Sequence, residues 1–268
     1  SREQSCISWN SYQEMLNDDI DVVYLATPPG FHYVQGLKIL NSNKHFWCEK
    51  PLALELEHVL HLEKVASRKG LSICEGFMYL YHPQYLRIKE YLTNNLLGNV
   101  QSVRVDFGLP EISSPSFRDS LEGGGSCLFD VGSYPLSLIS DCFELDDIKI
   151  VYSDVIKNKE SNVDSSGVAF MTIKSNINCT LEWSYNTAYK NDITIWSEEG
   201  TLYSEKIFSK APDLSPSVHL KNINGSPSIE NISASNHFVL MLKSFIDNSK
   251  SLKKGERETK RFTNLALL

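Results

Sequence analysis

The 268-residue sequence has no apolar run approaching the roughly 18 residues of a membrane span, because Asp, Asn, Lys or Glu interrupts every hydrophobic stretch. Positive charge is not in surplus either. There are 26 Lys and Arg against 33 Asp and Glu, a formal charge of -7, and this excludes the concentrated basic footprint that phosphate backbones require. The six cysteines, Cys6, Cys48, Cys74, Cys127, Cys142 and Cys179, show no C-x-x-C pair and no Cys/His cluster. A zinc site and a disulfide framework therefore have no support, and buried reduced thiols in a cytoplasmic protein are the expectation. His58 and His61 are helical neighbours without a third ligand, so no metal is expected. No internal repeat is present. With 41% hydrophobic and 22% charged residues, the composition is that of a globular chain long enough for two modest domains.

The first part of the chain alternates short apolar runs with helical patterns. Residues 20–26 (I-D-V-V-Y-L-A) read as a strand buried on both faces, closed by Thr27-Pro28-Pro29-Gly30. A helix over 31–40 follows, then a second run at 45–48 that stops at Glu49-Lys50-Pro51, a helix over 55–69 stopped by Gly70, and a third strand at 71–74. This βαβ alternation requires right-handed crossovers and a parallel sheet. Beyond Gly98 the pattern changes. Segments 100–107, 148–155, 167–173, 178–185, 192–196 and 201–207 are strand-like, several with alternating polarity, and imply an antiparallel sheet with one face covered and the other free for solvent or a partner subunit. Residues 210–235, rich in Ser, Pro and Asn, read as a long excursion, and 237–246 as a helix. The expected fold class is thus a doubly wound parallel sheet, present in part, in residues 1–97, followed by an α/β domain with a large open antiparallel sheet in residues 98–268.

Open α/β sheets bind ligands beyond the carboxyl ends of their strands, so Thr27-Pro28-Pro29, Glu49-Lys50-Pro51 and Glu75-Gly76 should converge on one crevice. Glu49-Lys50 places an acid and an ammonium at the sheet edge, where they are either an ion pair closing a strand or a site whose lysine pKa is tuned downward by desolvation. Gly123-Gly124-Gly125 allows close backbone approach to a ligand or makes a flexible turn. If a helix follows, Asp130 and Tyr134 lie at i and i+4 on one face, as a proton-transfer pair or as a local cap and a core aromatic. Tyr79, Tyr81, Trp183 and Tyr185 either line a sugar pocket or pack in the core.

In order and spacing, A-T-P-P-G-F-H at 26–32, C-E-K-P-L-A at 48–53, E-G-F-M-Y at 75–79, H-P-Q at 82–84 and G-G-G-S-C-L-F-D-V-G-S-Y at 123–134 resemble the family of glucose-fructose oxidoreductase, inositol dehydrogenase and the rhizopine-catabolism oxidoreductases. Tyr134, where many relatives carry histidine, makes the chain similar to the glucose-fructose oxidoreductase and dimeric dihydrodiol dehydrogenase branch. The resemblance implies a Rossmann domain, a C-terminal domain whose open sheet builds a homo-oligomer, and hydride transfer between nicotinamide and a carbinol carbon of a sugar, sugar nucleotide or cyclic polyol. By the same resemblance Lys50 and Tyr134 handle the alcohol proton, with Lys50 lowering the phenol's pKa or acting itself, and Asp130 orients the substrate hydroxyl. Thr27, Pro28, His32, Glu49, Lys50 and Glu75 line the cofactor, and Arg118 reaches it. Arg2 falls where NADP-using relatives end their second strand, which tilts the expectation toward NADP over NAD.

The family's first strand and its G-x-G-x-x-G turn do not occur in this sequence. Without them the strand at 20–26 is an exposed apolar edge, so the sequence is expected to be a piece of a longer fold. A non-catalytic binding or scaffolding relative with a defunct cofactor site, and a glycosidase using bound NAD, are the competing expectations.

Overall fold

The computed structural model describes residues 8–110, 115–250 and 252–268, without the side chains of 252–259. A short helix α1 (Tyr12–Asn17), capped by the Ser11 hydroxyl accepting from the Glu14 N–H, leads into β1 (Val22–Leu25). Helices α2 (His32–Asn41) and α3 (Leu56–Lys69) alternate with β2 (His45–Cys48) and β3 (Ile73–Glu75). The strands pair in parallel in the order β1-β2-β3. Gly70 ends α3 at φ 65°, the left-handed closure expected of a glycine there.

One face of this sheet is sealed: Val23, Leu25, Phe46 and Cys48 pack against Ile39, Leu40, Val59 and Leu62. The other face is not. Val22 and Tyr24 are exposed, Tyr24 by 54%, so β1 is buried on one face among the described residues rather than on both. A continuous apolar run states compatibility with burial, whereas the number of covering layers is a tertiary property.

After α4 (Pro83–Thr93), eight strands form one sheet: β4 (Val100–Gly108), β5 (Ile148–Lys157), β6 (Asp164–Ile173), β7 (Ile177–Ser184), β8 (Lys190–Ser197), β9 (Gly200–Glu205), β10 (Ser217–Asn222) and β11 (Ser228–Asn231). Their order is β11-β10-β9-β8-β4-β7-β6-β5. The sheet is mixed rather than antiparallel throughout, because β4 at its centre runs parallel to β7. Parallel neighbours need a long crossover. Here it contains α5 (Ser133–Cys142), which packs on β4 and β7. The long excursion expected over 210–235 is corrected as well: it contains the β10–β11 hairpin, in which Val218 and Leu220 alternate inward with His219 and Lys221 outward. Its polar turn residues hid that alternation.

Helices α6 (His237–Ser249) and α7 (Leu252–Leu267) follow. Helix α7 returns to the first sheet, where Phe262 joins its core. The uncovered face of the large sheet carries Tyr152, Phe170, Tyr203 and Trp196, the last 61% exposed. No described helix is long and apolar enough to cross a membrane.

Candidate active site

The three parallel strands end side by side, and the polar residues after each come together as their positions required. The turn after β1 is held by His32, whose Nδ1 lies 2.7 Å from the Pro51 carbonyl and whose Nε2 lies 2.6 Å from the Thr27 carbonyl. His32 is fully buried and both ring nitrogens are occupied, so it ties the β1 and β2 loops together and does not line the crevice as expected. The peptide bond between Lys50 and Pro51 is cis. Glu75 also turns inward: its Oε1 accepts from the Leu52 N–H at 2.8 Å, fixing the loop that carries Lys50.

The glycine run serves the protein's own backbone. Gly30 N–H donates to the Gly123 carbonyl at 3.1 Å, and a Cβ on Gly30 would lie 2.1 Å from the Glu122 carbonyl oxygen. Gly124 has φ 80°, and a Cβ there would meet Gly30 N at 2.7 Å. These glycines permit the loop at 117–125 to close on the β1 turn.

That closure assembles the centre of the site. Asp130 stands in a π-helical turn (Leu128–Gly132) immediately before α5. Its Oδ1 accepts from Lys50 Nζ at 2.7 Å; its Oδ2 accepts from Arg118 Nε at 2.7 Å and from the Tyr185 hydroxyl at 2.8 Å. Lys50 also donates to the Asp130 main-chain carbonyl. Side-chain exposure is 10% for Lys50 and 13% for Asp130. Burial works to raise the Asp130 carboxyl, but Lys50 and Arg118 outweigh it and hold the group at about 2, so it is a carboxylate at neutral pH. Tyr185, at the end of β7, was legible only as an aromatic of uncertain use, since nothing in its local sequence announces an acidic partner 55 residues earlier.

Tyr134 departs from the expectation that it pairs with Asp130 on one helical face. The π turn breaks the α-helical spacing, and the phenol ring is buried among Phe77, Tyr79, Phe107 and Phe208 at centroid distances of 5.2 to 5.9 Å. Its hydroxyl lies 3.9 Å from Met78 Sδ. Burial, with Glu49 and Asp130 adding to it, pushes this phenol well above the usual tyrosine range. Lys50 meets the ring by its face, Nζ standing 4.9 Å from the centroid.

Of the other expected cofactor-lining residues, Thr27 donates from Oγ1 to Gln35 Oε1 at 2.6 Å, Pro28 is half-buried ahead of the turn Pro29–Phe31, and Glu49 accepts from the Tyr24 hydroxyl. Arg118 points to Asp130, and Arg2 lies outside the described residues. Three strand ends with an ammonium held at their rim fit the nicotinamide end of a dinucleotide. No glycine-rich phosphate turn occurs among the described residues. A cavity of about 570 Å³ lined by Leu54, Val59, Leu136, Met171, Phe262 and Leu265 lies behind the Pro51 loop, but neither Lys50 nor Asp130 borders it.

Residues 2–77 match the sequence model described as "Oxidoreductase family, NAD-binding Rossmann fold", and residues 85–203 match the GFO/IDH/MocA C-terminal domain. The chain is 28% identical over 204 residues to dTDP-3,4-didehydro-2,6-dideoxy-alpha-D-glucose 3-reductase of Actinomadura kijaniata, covering 76% of this chain and 61% of that protein. It is 35% identical over 133 residues to trans-1,2-dihydrobenzene-1,2-diol dehydrogenase of Danio rerio, covering 49% of this chain and 40% of that protein. The chain thus spans about three fifths of the first of these relatives. Its backbone superimposes on KijD10, a 3-ketoreductase from Actinomadura kijaniata in complex with NADP and TDP-benzene, with a TM-score of 0.87 at 24% identity, over 94% of this chain and 78% of that one. Aldose-aldose oxidoreductase from Caulobacter crescentus gives 0.79 at 17% identity, over 94% and 78%.

Proposed function

Since the chain belongs to the GFO/IDH/MocA oxidoreductase family, we propose that it serves an NAD(P)-dependent reductase or dehydrogenase activity on a carbinol or ketone carbon of a sugar, sugar nucleotide or cyclic diol. The observation that carries this reading is the Lys50 ammonium, held by the buried Asp130 carboxylate at the carboxyl end of β2. A nicotinamide dinucleotide held beyond the strand ends by Thr27, Pro28 and Glu49 would supply or accept the hydride. Lys50 gives the proton to the nascent alkoxide oxygen in reduction and removes it in oxidation. Asp130 fixes the ammonium, and Arg118 and Tyr185 fix Asp130. Of the two groups expected to handle the proton, Lys50 is favoured, because the Tyr134 hydroxyl is turned into the aromatic core and its proton is hard to remove. Tyr134 supports the ammonium from below with its ring face.

Thr27, Pro28 and Glu49 are assigned to the cofactor side of the crevice. NADP is the preferred nucleotide, supported by its presence in the KijD10 structure. The division at Gly98 into a cofactor-binding unit (1–97) and a substrate and oligomerisation unit (98–268) belongs to the same reading, amended by the return of α7 to the first core. The exposed aromatic face of the large sheet is the proposed homo-oligomer contact, since an apolar face of this kind is costly in water. Unpaired cysteines, five among the described residues, support a cytoplasmic location.

The test is Lys50→Met in the full-length protein, assayed by nicotinamide absorbance with dTDP-keto sugars and trans-dihydrodiols. Loss of a positioned acid-base group lowers kcat by about 10² to 10⁴, with nucleotide binding, read by tryptophan fluorescence transfer, retained. A variant with kcat within three-fold of wild type overturns the assignment.

A further inference from the structure

Helices α4 and α6 begin beside one another. His82 caps α4, its Nδ1 accepting from the Gln84 N–H at 3.0 Å, and Asn236 caps α6, its Oδ1 accepting from the Phe238 and Val239 N–H groups. The rings of His82 and of His237, the first residue of α6, stand 5.9 Å apart edge to face. Each helix exceeds ten residues, so two positive dipole ends meet at this point. The end of β9 is tied to the start of α4 by Gln84, whose Nε2 donates to the Ser204 hydroxyl and to the Glu205 carbonyl at 2.8 Å, and the irregular segment that follows carries Lys210, whose Nζ donates to the Ile207 carbonyl at 2.7 Å.

Two ring nitrogens here are buried without partners among the described residues. His82 and His237 are 0% and 2% exposed, and His82 Nε2 and His237 Nδ1 are buried without a hydrogen-bond partner among the described residues. Because His82 Nδ1 accepts, its Nε2 carries the hydrogen and is a donor. A buried donor left unmade carries its full desolvation penalty, so such groups in native proteins call for an occupant. Burial alone depresses the Lys210 ammonium to about 7. Burial first, and Lys210 second, depress both imidazoles to about 4. The remaining charged groups of the segment, Glu205, Lys206 and Asp213, are exposed, and none of them acts on the three. The place therefore presents a donor and positive potential, and no carboxylate among the described residues answers them. A neutral water satisfies the donor but not the potential; an oxyanion satisfies both.

The location points to the source of that anion. Phe208, two residues before Lys210, packs on Tyr79 at 4.9 Å and on Tyr134 at 5.4 Å, and Tyr134 carries Lys50 on its face. Phe208 and Tyr134 thus connect the segment that carries Lys210 to the ring on which Lys50 stands.

We propose that His82, His237 and Lys210 form an oxyanion-binding site that takes the carboxylate or phosphate group of the substrate. The site itself stands on the geometry above; that its ligand is the substrate rests on the oxidoreductase reading.

The test starts with inorganic phosphate, which needs no turnover. Calorimetric titration of the full-length protein at pH 8 is expected to show binding with proton uptake, measured in two buffers of different ionisation enthalpy, because the anion raises the depressed Lys210. Lys210→Met, with folding checked by far-UV circular dichroism, weakens phosphate by about ten-fold or more, and Lys210→Arg retains it. No binding by wild type, or equal affinity in Lys210→Met, overturns the site. A sugar phosphate binding more tightly than phosphate identifies a phosphate ester as the natural group, and a sugar acid doing so identifies a carboxylate. If neither exceeds inorganic phosphate, the assignment to the substrate falls. Failure of the oxidoreductase reading is separate: phosphate binds, and no sugar changes the nicotinamide absorbance.

Discussion

Replacing Asp130 by asparagine changes no volume and isolates one charge. The carboxylate offers Oδ1 to Lys50 and Oδ2 to Arg118 and Tyr185. An amide has one acceptor and one NH₂ group, so in either orientation it turns donor hydrogens toward a cation and leaves two neighbouring positive charges uncompensated. The size of the effect follows from the carboxyl itself. Its fall from 3.8 to about 2 in the folded protein corresponds to about 2 to 3 kcal/mol favouring the ionised form. Breaking a buried pair costs about 3 to 5 kcal/mol in well-enclosed cases, and the exposure of Arg118 places this one near the lower figure. Asp130→Asn is therefore expected to lose about 2 to 3 kcal/mol in urea unfolding at pH 7. The sign with pH is fixed. A depressed carboxyl stabilises above its unfolded value of 3.8 and loses that contribution as pH falls toward 2, so the gap between wild type and variant narrows below pH 4. A gap under 0.5 kcal/mol at pH 7, or one that does not change with pH, refutes the reasoning.

Two further outcomes are expected. Gly30→Ala sets a Cβ against the Glu122 carbonyl oxygen at 2.1 Å. The loop must then withdraw, Lys50 and Asp130 separate, and both stability (by about 1 to 3 kcal/mol) and nucleotide-linked activity fall; thermal unfolding equal to wild type would show that the loop closure is looser than described. His82 and His237, held neutral at about 4, take up protons on unfolding. Stability is therefore full above pH 6.5 and declines toward pH 4 by about 2 to 3 kcal/mol for each imidazole, and a flat urea midpoint across that window in the absence of anions contradicts their burial as neutral groups.

Much of the architecture could be read from periodicity. Apolar runs ending in Pro-Pro-Gly, Lys-Pro and Glu-Gly are sufficient for parallel strands with polar carboxyl ends, because a strand's hydrophobicity and the residues that stop it are local properties. Lys50 and Asp130 were legible as candidates for the same reason, whereas their contact at 2.7 Å, which joins positions 80 residues apart, was not. The β10–β11 hairpin was not legible, since two inward residues, Val218 and Leu220, diluted by Ser, Pro and Asn carry too little pattern.

The sequence by itself determined which residue types could sit at the strand ends, where glycine was required, and that the chain folds as two sheets in succession. What each side chain does was decided by tertiary structure. His32 became a tie between two loops, Tyr134 a buried platform, Arg118 and Tyr185 the holders of Asp130, and His82 with His237 a pair of buried rings that each keep one nitrogen without a partner among the described residues. The reason is physical: propensity and patterning act over a few residues, whereas the desolvation and hydrogen bonding that set a side chain's protonation depend on groups brought next to it from 12 to more than 150 positions away.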